Sequence, residues 1–304
     1  MKVLKFLLWI VLLAVLATGC NKRVKSPTET MLPDSVRINI PVFGNGTSLE
    51  VITWNMENFP KLNMTTVTTV SEIISDLDAD IYGMQEIADT SSFRKLLNLL
   101  PDYSGVYSSD DYGSSYQKTA VIYRKNLVTL NGRTSLFPGD SYAFPRPPLQ
   151  VSLSAVNNGH LFDFNLIVLH LKAFDGADER ARRRRACELL KEYLDEKIAN
   201  GPEKQFIVVG DWNDQLNDPP STNVFQVFLQ DSADYRFLTQ PLSATPTYIA
   251  GSYKSAIDHI LISADILPEY QGGKTSVIKV DNYYNGYVTN VSDHRPVGAI
   301  FPVF

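Results

Sequence analysis

Short apolar runs alternate along the chain with stretches in which apolar residues recur at helical spacing. The runs predict strands at 49–54, 80–87, 119–123, 162–171, 205–209, 257–263 and 296–301. The helical spacing predicts one amphipathic helix over 67–77 and a longer one over 178–197. Many strands with two or three helices favour an α/β fold with its sheets in the middle.

The N-terminal segment has a different pattern. Two lysines precede a continuous apolar run over 6–16, which is shorter than the roughly 20 residues that span a membrane. The run leads to Gly19 and Cys20, and small residues before a cysteine resemble a bacterial lipobox. We therefore expect residues 1–19 to be a lipoprotein signal peptide, removed when Cys20 is acylated. An ordinary cleaved signal peptide is the alternative.

The remaining chain divides into a tether and one domain. Residues 20–48 are polar and rich in Pro, Ser, Thr, Asn and Gly, a composition typical of a linker. Residues 49–304 are long enough for one domain with a sizeable core. Besides Cys20 the chain has only Cys187, which lies on the long predicted helix and is interpreted as a buried thiol. We expect a monomer without a protein partner, lipid-anchored in the cell envelope outside the cytoplasm.

Charge limits the possible partners. The chain carries 28 Lys and Arg against 33 Asp and Glu, a formal net charge of −5. A protein that coats nucleic acid without specificity usually has a basic surface. An acidic enzyme still binds phosphates where metal ions and a local basic patch offset its carboxylates. The four arginines at 182–185 are interpreted as a solvated helix face.

Polar residues with catalytic potential cluster at the ends of the predicted strands. The clusters are Thr-Trp-Asn-Met-Glu-Asn at 53–58, Met-Gln-Glu at 84–86, His-Leu-Lys at 170–172, Gly-Asp-Trp-Asn-Asp at 210–214, Ile-Asp-His at 257–259 and Ser-Asp-His-Arg-Pro at 292–296. An α/β scaffold presents such side chains to a shared cleft. Three of the four histidines fall in these clusters.

In this order the clusters resemble those of the endonuclease/exonuclease/phosphatase superfamily, which includes deoxyribonuclease I, abasic-site endonucleases, neutral sphingomyelinases and inositol polyphosphate 5-phosphatases. The resemblance covers residues 51–296 and implies a four-layer α/β/β/α sandwich of two packed mixed sheets flanked by helices. It also implies one or two divalent ions, usually Mg²⁺ and sometimes Mn²⁺ or Ca²⁺. Hard cations of this kind take oxygen ligands, and no cysteine or histidine cluster here has zinc spacing.

The resemblance assigns the metal ligands by motif position. Glu86 corresponds to the principal ligand and Asp293 to a second one. Asn55 corresponds to a residue beside the metal or the scissile phosphate, and Glu57 to an acid that only some members carry. A surface carboxylate paired with a basic residue is the alternative for Glu86, and a turn-capping residue is the alternative for Asn55.

The resemblance also assigns the acid–base groups. Asp211 would orient or deprotonate the attacking water, and Asn213 would donate to a non-bridging phosphate oxygen. His294 would bind the phosphate or transfer a proton, with Asp258 holding its imidazole in the required tautomer. The alternatives are an Asx turn at Asp211 and a surface ion pair at His294.

His170 matches the second active-site histidine of deoxyribonuclease I-like members. There the histidine pairs with a glutamate, and the aligned position here is Gln117, which cannot stabilise an imidazolium as a carboxylate does. Arg146 matches a phosphate-contacting arginine, a role that suits a bidentate guanidinium. Lys172 is a further candidate phosphate contact. A loop arginine without such a role is the alternative for Arg146.

Three other polar residues are assigned no chemistry. His259 follows Asp258 on a strand, so its side chain should point to the opposite face. His160 precedes a strand outside any motif and is interpreted as a surface residue. Asp214 is interpreted as a turn residue.

The expected activity is metal-dependent phosphodiester hydrolysis, with DNA or RNA as the first candidate substrate. A sphingomyelinase or other phospholipase C is an alternative, and it would need an exposed aromatic hairpin, for which Tyr283 and Tyr284 are the candidates. A phosphatase acting on inositol or nucleotide phosphates is another. A non-catalytic surface binding protein on the same fold would be expected to have broken motifs, whereas nearly all are intact here.

Overall fold

The computed structural model describes residues 38–109 and 116–304. The expected signal peptide, Cys20 and the tether up to residue 37 lie outside the described residues. Within them, none of the helices combines the length and the apolar character that crossing a membrane requires.

Twelve strands and six α-helices make up the described part of the chain. The strands are β1 Leu49–Phe59, β2 Ile81–Ile87, β3 Tyr103–Tyr107, β4 Lys118–Arg124, β5 Val128–Ser135, β6 Leu149–Asn157, β7 His160–His170, β8 Phe206–Asp211, β9 Tyr235–Phe237, β10 Asp258–Ser263, β11 Lys274–Val277 and β12 Val297–Phe301. The helices are α1 Asn63–Leu77, α2 Thr90–Asn98, α3 Ala177–Asn200, α4 Gln226–Leu229, α5 Leu267–Tyr270 and α6 Tyr287–Asn290. Every predicted strand and helix is present.

The strands form two six-stranded mixed sheets. The first has the order β11-β12-β1-β2-β4-β3, and the second has the order β5-β6-β7-β8-β10-β9. Each sheet contains one parallel pair, β1 with β2 and β7 with β8, among antiparallel neighbours. The parallel pair lies near the middle of each sheet, so its carboxyl ends are flanked by other strands.

Three apolar clusters separate four layers. One cluster lies between the sheets and includes Val51, Val168 and Val209. A second packs α1 and α2 on the first sheet, and a third packs α3 on the second. A Cβ on Gly83 would lie 2.6 Å from a methyl of Val209, so glycine allows the sheets to approach there. The four-layer α/β/β/α prediction is confirmed.

The folded domain begins before the predicted boundary at residue 49. Ile38 and Ile40 are buried in the cluster beneath α1. The amide of Ile38 donates to Glu72 Oε1 at 2.7 Å, and that of Phe43 donates to the carbonyl of Leu77 at 2.8 Å. Residues 38–48 therefore belong to the domain rather than to the tether, because their alternating isoleucines complete an apolar cluster.

The long helix α3 corrects the interpretation of the four arginines. Arg183 is only 2% exposed, and its guanidinium donates to Asp214 Oδ2 at 2.9 Å and to the carbonyls of Lys172 and Phe174. The run is therefore not entirely a solvated face, and Asp214 is more than a turn residue. Cys187 on the same helix is buried, as expected, and burial raises the pKa of its thiol.

Candidate active site

The motif residues meet at one edge of the two packed sheets. In the second sheet, His170 lies opposite Asp211, and Asp211 lies opposite Asp258 on its other side. In the first sheet, Asn55 lies opposite Gln85. The carboxyl ends of the parallel strands and the beginning of antiparallel β10 share this edge, which explains why residues far apart in sequence converge.

Asp211 is at the centre of the cluster and is 2% exposed. Its Oδ2 accepts a hydrogen bond from Asn55 Nδ2 at 2.9 Å and lies 3.5 Å from His170 Nε2 and 3.8 Å from His294 Nε2. Burial raises the pKa of the Asp211 carboxyl to about 7, against the attraction of His294. Asp211 is therefore a stronger base than an exposed aspartate.

His294 is held by a carboxylate on the neighbouring strand. Its Nδ1 lies 2.8 Å from Asp258 Oδ2, so the imidazolium donates a hydrogen bond to this carboxylate. Burial disfavours the charged ring, but Asp258 and Asp211 outweigh it and raise the pKa of His294 to about 10. The Nε2 atom of a protonated His294 thus faces the cluster as a donor.

His170 has the opposite electrostatic surroundings. Its Nδ1 is buried and finds no hydrogen-bond partner among the described residues. Burial, Arg146 and His294 all lower its pKa well below the ordinary value. The ring is neutral at physiological pH.

Gln117 does not orient His170. Its Nε2 donates to Asn58 Oδ1 and, at 3.0 Å, to Glu86 Oε2, while its Oε1 accepts from Arg146 Nη2 at 2.7 Å. The alignment that placed it beside His170 is corrected, because Gln117 precedes β4 and its side chain is directed by Glu86 and Arg146. The carboxylates nearest His170 Nε2 are Asp211 at 3.5 Å and Glu86 at 3.9 Å.

Glu86 lies among neutral donors. Oε1 accepts from Asn55 Nδ2 at 3.2 Å, and Oε2 accepts from the amide of Asn58 at 2.9 Å and from Gln117. No basic side chain other than His170 forms an ion pair with Glu86 among the described residues. The alternative of a surface carboxylate paired with a basic residue therefore does not describe Glu86.

Glu57 and Asp293 approach each other across the cleft. Glu57 Oε2 accepts from the amide of Asp293 at 2.7 Å and from the ammonium group of Lys61. Burial, together with Glu57 and Glu86, raises the pKa of Asp293 to about 6, against the attraction of His294. The negative charges of Glu57 and Glu86 thus act on Asp293, and a bound cation would offset this repulsion.

The donor set fits a hard divalent cation. Glu86 and Asp293 offer carboxylate oxygen atoms, which Mg²⁺ prefers, whereas Asn55 directs its Nδ2 to Glu86 and its Oδ1 to the amide of Glu57. Another group, Asp211, Asp258 and His294, brings one ligand atom from each residue within 4.8 Å of the others. In that group the imidazole already shares a hydrogen bond with Asp258, so we favour the oxygen-only set around Glu86.

Strained backbone is concentrated at this edge. Glu57, Asn58, Glu86 and Asn213 have φ angles of 43°, 59°, 60° and 55°, in the left-handed region that residues with a Cβ rarely adopt. These four are close to half of the non-glycine residues with positive φ in the described chain. Strain of this kind persists where surrounding contacts enforce it, and it often marks a functional site.

The other predicted site residues take varied positions. Asn213 donates one Nδ2 hydrogen to the carbonyl of Leu171 at 3.2 Å, which leaves its second amide hydrogen for a phosphate. Arg146 reaches the cluster through Gln117, whereas the ammonium of Lys172 contacts Ala173, Glu179 and the ring of Phe174.

The histidines without an assigned role lie where they were expected. His259 is directed away from the cluster and bonds Thr239 and the carbonyl of Asp214. His160 is exposed.

Two contributors were missed by sequence reasoning. Ser292 Oγ donates to the carbonyl of Asn55 at 2.6 Å and accepts from the amide of His294 at 2.9 Å, which joins the first and last motifs. It belongs to the Ser-Asp-His-Arg-Pro cluster, so the signal was present. Tyr248 packs its ring edge to face against His294, with centroids 5.2 Å apart, and no motif marks it.

Several solved structures have a similar fold. An endonuclease/exonuclease/phosphatase family protein from Bacteroides thetaiotaomicron has a TM-score of 0.60 and 19% identity, covering 84% of this chain and 97% of that one. A truncated Caenorhabditis elegans TDP2 has a TM-score of 0.63 and 17% identity, with coverage of 84% and 98%. A mannosyl-6-phosphatase from Bacteroides thetaiotaomicron VPI-5482 has a TM-score of 0.58 and 18% identity, with coverage of 83% and 98%. At these identities the likeness concerns the fold.

Sequence comparison supplies the family. No curated protein matches the chain significantly. The model of the Endonuclease/Exonuclease/phosphatase family matches residues 52–294, which is most of the chain and contains all of the clustered carboxylates and histidines. With the two packed sheets and the convergence of the motifs at one edge, this match shows that the chain belongs to the endonuclease/exonuclease/phosphatase family.

Proposed function

We propose that the protein is a metal-dependent nuclease that hydrolyses phosphodiester bonds of DNA or RNA. The family consists of phosphodiesterases and phosphatases whose enzymes depend on divalent metal ions. The observation that carries the proposal is the position of Asp211, a buried carboxylate whose Oδ2 accepts from Asn55 and lies 3.5 Å from His170 Nε2 and 3.8 Å from His294 Nε2. Asp211 and His294 are neighbouring titratable groups whose surroundings shift their pKa values, and such groups are typical of acid–base sites.

The residues of the chain have distinct roles in this proposal. Asp211 accepts the proton of the attacking water, and burial, which raises the pKa of its carboxyl, makes it a stronger base than an exposed aspartate. His294, charged because of Asp258, donates from Nε2 to a phosphate oxygen and offsets the negative charge of the transition state. Arg146 and the second amide hydrogen of Asn213 bind the non-bridging oxygens, while the P–O bond to the leaving oxygen breaks and that oxygen takes a proton from solvent.

The cation is assigned to the oxygen ligands on the first-sheet side. Glu86 and Asp293 would hold it, with Asn55 beside it and Glu57 as a supporting acid. A bound Mg²⁺ would supply Lewis acidity at the phosphate and would lower the pKa of neighbouring carboxyls. Mn²⁺ and Ca²⁺ take the same class of ligands, so both belong in the assay.

The structure gives less support to a lipid substrate. Tyr283 and Tyr284 lie in the short connection between the 3₁₀ helix Val280–Asn282 and the helix α6, not in an aromatic hairpin. Tyr284 is only partly exposed and accepts a hydrogen bond from Asn290. A non-catalytic binding protein is also disfavoured, because the clustered side chains keep acid–base geometry.

A phosphatase acting on small phosphate esters is the second candidate. It is favoured by the fold shared with the mannosyl-6-phosphatase from Bacteroides thetaiotaomicron. The substrates of the two candidate activities differ in charge, because a phosphate monoester carries one more negative charge than a diester near neutral pH. A monoester substrate therefore belongs in any assay of the protein.

The test is a substrate panel with Mg²⁺, Mn²⁺ or Ca²⁺. Plasmid DNA, RNA, sphingomyelin, mannose 6-phosphate and a bis-aryl phosphate are incubated with the wild type and with His294→Ala. We expect cleavage of DNA or RNA and of the bis-aryl phosphate, and at least a hundredfold less with the variant. Hydrolysis confined to sphingomyelin or to the monoester would overturn the nuclease proposal.

Glu86→Gln tests the metal site separately from the chemistry. Removing one negative oxygen should weaken Mg²⁺ binding strongly, because such a site has few protein ligands. Isothermal titration calorimetry on the folded variant is the measurement. Glu72→Gln, a change on helix α1, is the control, and unchanged Mg²⁺ binding by Glu86→Gln would remove Glu86 from the site.

We also propose that Cys20 is acylated and holds the domain on the cell envelope. The proposal rests on the apolar run that ends at Gly19 and Cys20. Cys20→Ser should remain unprocessed or move to the soluble fraction when expressed in bacteria. Membrane fractionation and normal processing like those of the wild type would contradict the proposal.

A further inference from the structure

A cavity of about 520 Å³ opens beside the catalytic cluster. Three of its lining residues adjoin the catalytic groups: Asn213 follows Asp211 in the same motif, Ile257 precedes Asp258, and Tyr248 packs against His294. The volume lies within the range of small-molecule pockets, roughly 300–1,000 Å³. Of the residues given a catalytic role above, only Asn213 lines the cavity, so the space beyond Asn213 is available to the part of a substrate attached to the phosphate.

Two aromatic side chains line the cavity and are largely exposed to solvent. Phe174 is 78% exposed and Tyr253 is 63% exposed. Phe174 also has a φ angle of 76°, a rare conformation for a bulky residue, and its carbonyl accepts from the buried Arg183. The fold thus maintains an unfavourable backbone conformation where it presents an apolar ring to water.

The floor of the cavity contains an unsatisfied polar group. Ser255 is 2% exposed, and its hydroxyl has no hydrogen-bond partner among the described residues. The backbone of Ser255 is fixed, since its carbonyl accepts from the amides of Thr247 and Tyr248. A buried hydroxyl without a partner is unusual in a folded protein and calls for a ligand or water. Arg180, also on the lining, has an unpartnered buried Nε.

We propose that this cavity binds a nucleobase attached to the scissile phosphate. The inference rests on the proposed nuclease function and adds the group that the enzyme recognises. A base has an apolar face for Phe174 or Tyr253 and heteroatoms on its edge for Ser255 and Arg180. The ammonium of Lys172 lies 4.9 Å from the ring centroid of Phe174, which places positive charge beside the cavity for the adjoining phosphate.

The test compares two diesters with the same leaving group. Thymidine 5′-(4-nitrophenyl phosphate), with its 3′ isomer, carries a base, and ethyl 4-nitrophenyl phosphate does not. We expect the wild type to prefer a thymidine ester by more than about tenfold in kcat/KM, because stacking and edge contacts act on the base alone. Equal kcat/KM values for the three esters would overturn the proposal.

Variants assign the preference to the cavity. We expect a higher KM for the preferred thymidine ester in each of three variants, Phe174→Leu, Tyr253→Leu and Ser255→Ala. The increase should be about five- to tenfold for the two aromatic changes. KM for the ethyl ester should be unchanged. Tyr283→Leu, at an exposed tyrosine outside the cavity, should alter neither substrate. Loss of activity on both esters in the three cavity variants would contradict a role in base recognition.

Direct binding separates this inference from the proposed function. Thymidine 5′-monophosphate is titrated in EDTA into the wild type and the same variants, with tyrosine fluorescence as the readout. If no ester is hydrolysed but the nucleotide binds and Tyr253→Leu weakens it, the nuclease proposal fails and the base site stands. If the esters are hydrolysed but the cavity variants bind the nucleotide like the wild type, the base site fails alone.

Discussion

His294 and His170 both lie within 4 Å of Asp211 and are both buried, but they differ in charge. His294 is protonated, whereas His170 is neutral. The Nδ1 of His294 is 2.8 Å from a carboxylate, whereas the Nδ1 of His170 has no partner among the described residues. Burial alone lowers the pKa of both rings. Asp258 and Asp211 reverse the effect for His294, whereas Arg146 and His294 add to it for His170, so the charges around each ring decide which histidine is a cation.

The largest expected effect is on catalysis. His294→Ala should lower kcat by about 10²–10⁴-fold, because it removes the charged donor at the phosphate. His170→Ala should cost at least tenfold less, since a neutral ring offers the transition state weaker stabilisation. Steady-state kinetics on one diester, with exposed His160→Ala as the control, make the measurement. Equal losses would mean that His170 works as a cation in the substrate complex.

The next effect is on the pH dependence of the free energy of unfolding. His294 and His170 should contribute slopes of opposite sign. The folded pKa of His294 is about 10 against an unfolded value near 6.5, so its contribution is fully present below pH 6.5 and is lost as pH rises through 10. The pKa of His170 is lowered, so folding is disfavoured as pH falls below 6.5. Each residue has a slope of at most about 1.4 kcal/mol per pH unit.

Urea unfolding in EDTA from pH 5 to 10 checks this contrast. The stability lost in His294→Gln should be largest below pH 6.5 and should shrink as the pH rises toward 10. His170→Gln should gain stability relative to the wild type as the pH falls below 6.5. Parallel curves for the two variants would show that their charge states do not differ.

The smallest effect is expected from Gln117→Glu. The new carboxylate would pair with Arg146 and repel Glu86, because those are the residues that Gln117 contacts. KM should rise by less than about tenfold, which corresponds to 1.4 kcal/mol. The pKa of His170, and with it the acid limb of the pH–rate profile, should not change. A pH–rate profile with Gln117→Ala as the control tests this, and a change in the acid limb would place Gln117 beside His170 after all.

The catalytic cluster was predictable because its residues sit where strand geometry leaves little freedom. His170 and Asp211 end parallel neighbours, and Asp258 begins the antiparallel strand beside them, so the register alone brings the three together. Strand period also placed His259 on the opposite face. The same logic failed for Gln117, which precedes β4, where period two no longer fixes the direction of a side chain.

Other misses had signals in the sequence. Four consecutive helical residues turn through about 300°, so at least one arginine of the run at 182–185 had to face the sheet. Strand β6 was missed although Leu149, Val151, Leu153 and Ala155 alternate with other residues. Tyr248 had no such signal, because its place against His294 depends on a loop that closes from another part of the chain.

The positive φ angles at Glu86 and Asn213 have a consequence for mutations at these positions. Glycine adopts this conformation without strain, so Glu86→Gly or Asn213→Gly would remove chemistry and relax the backbone in one mutation. Activity and stability are therefore opposed at these positions. A glycine at either position would therefore leave a folded protein without the side chain that the reaction needs.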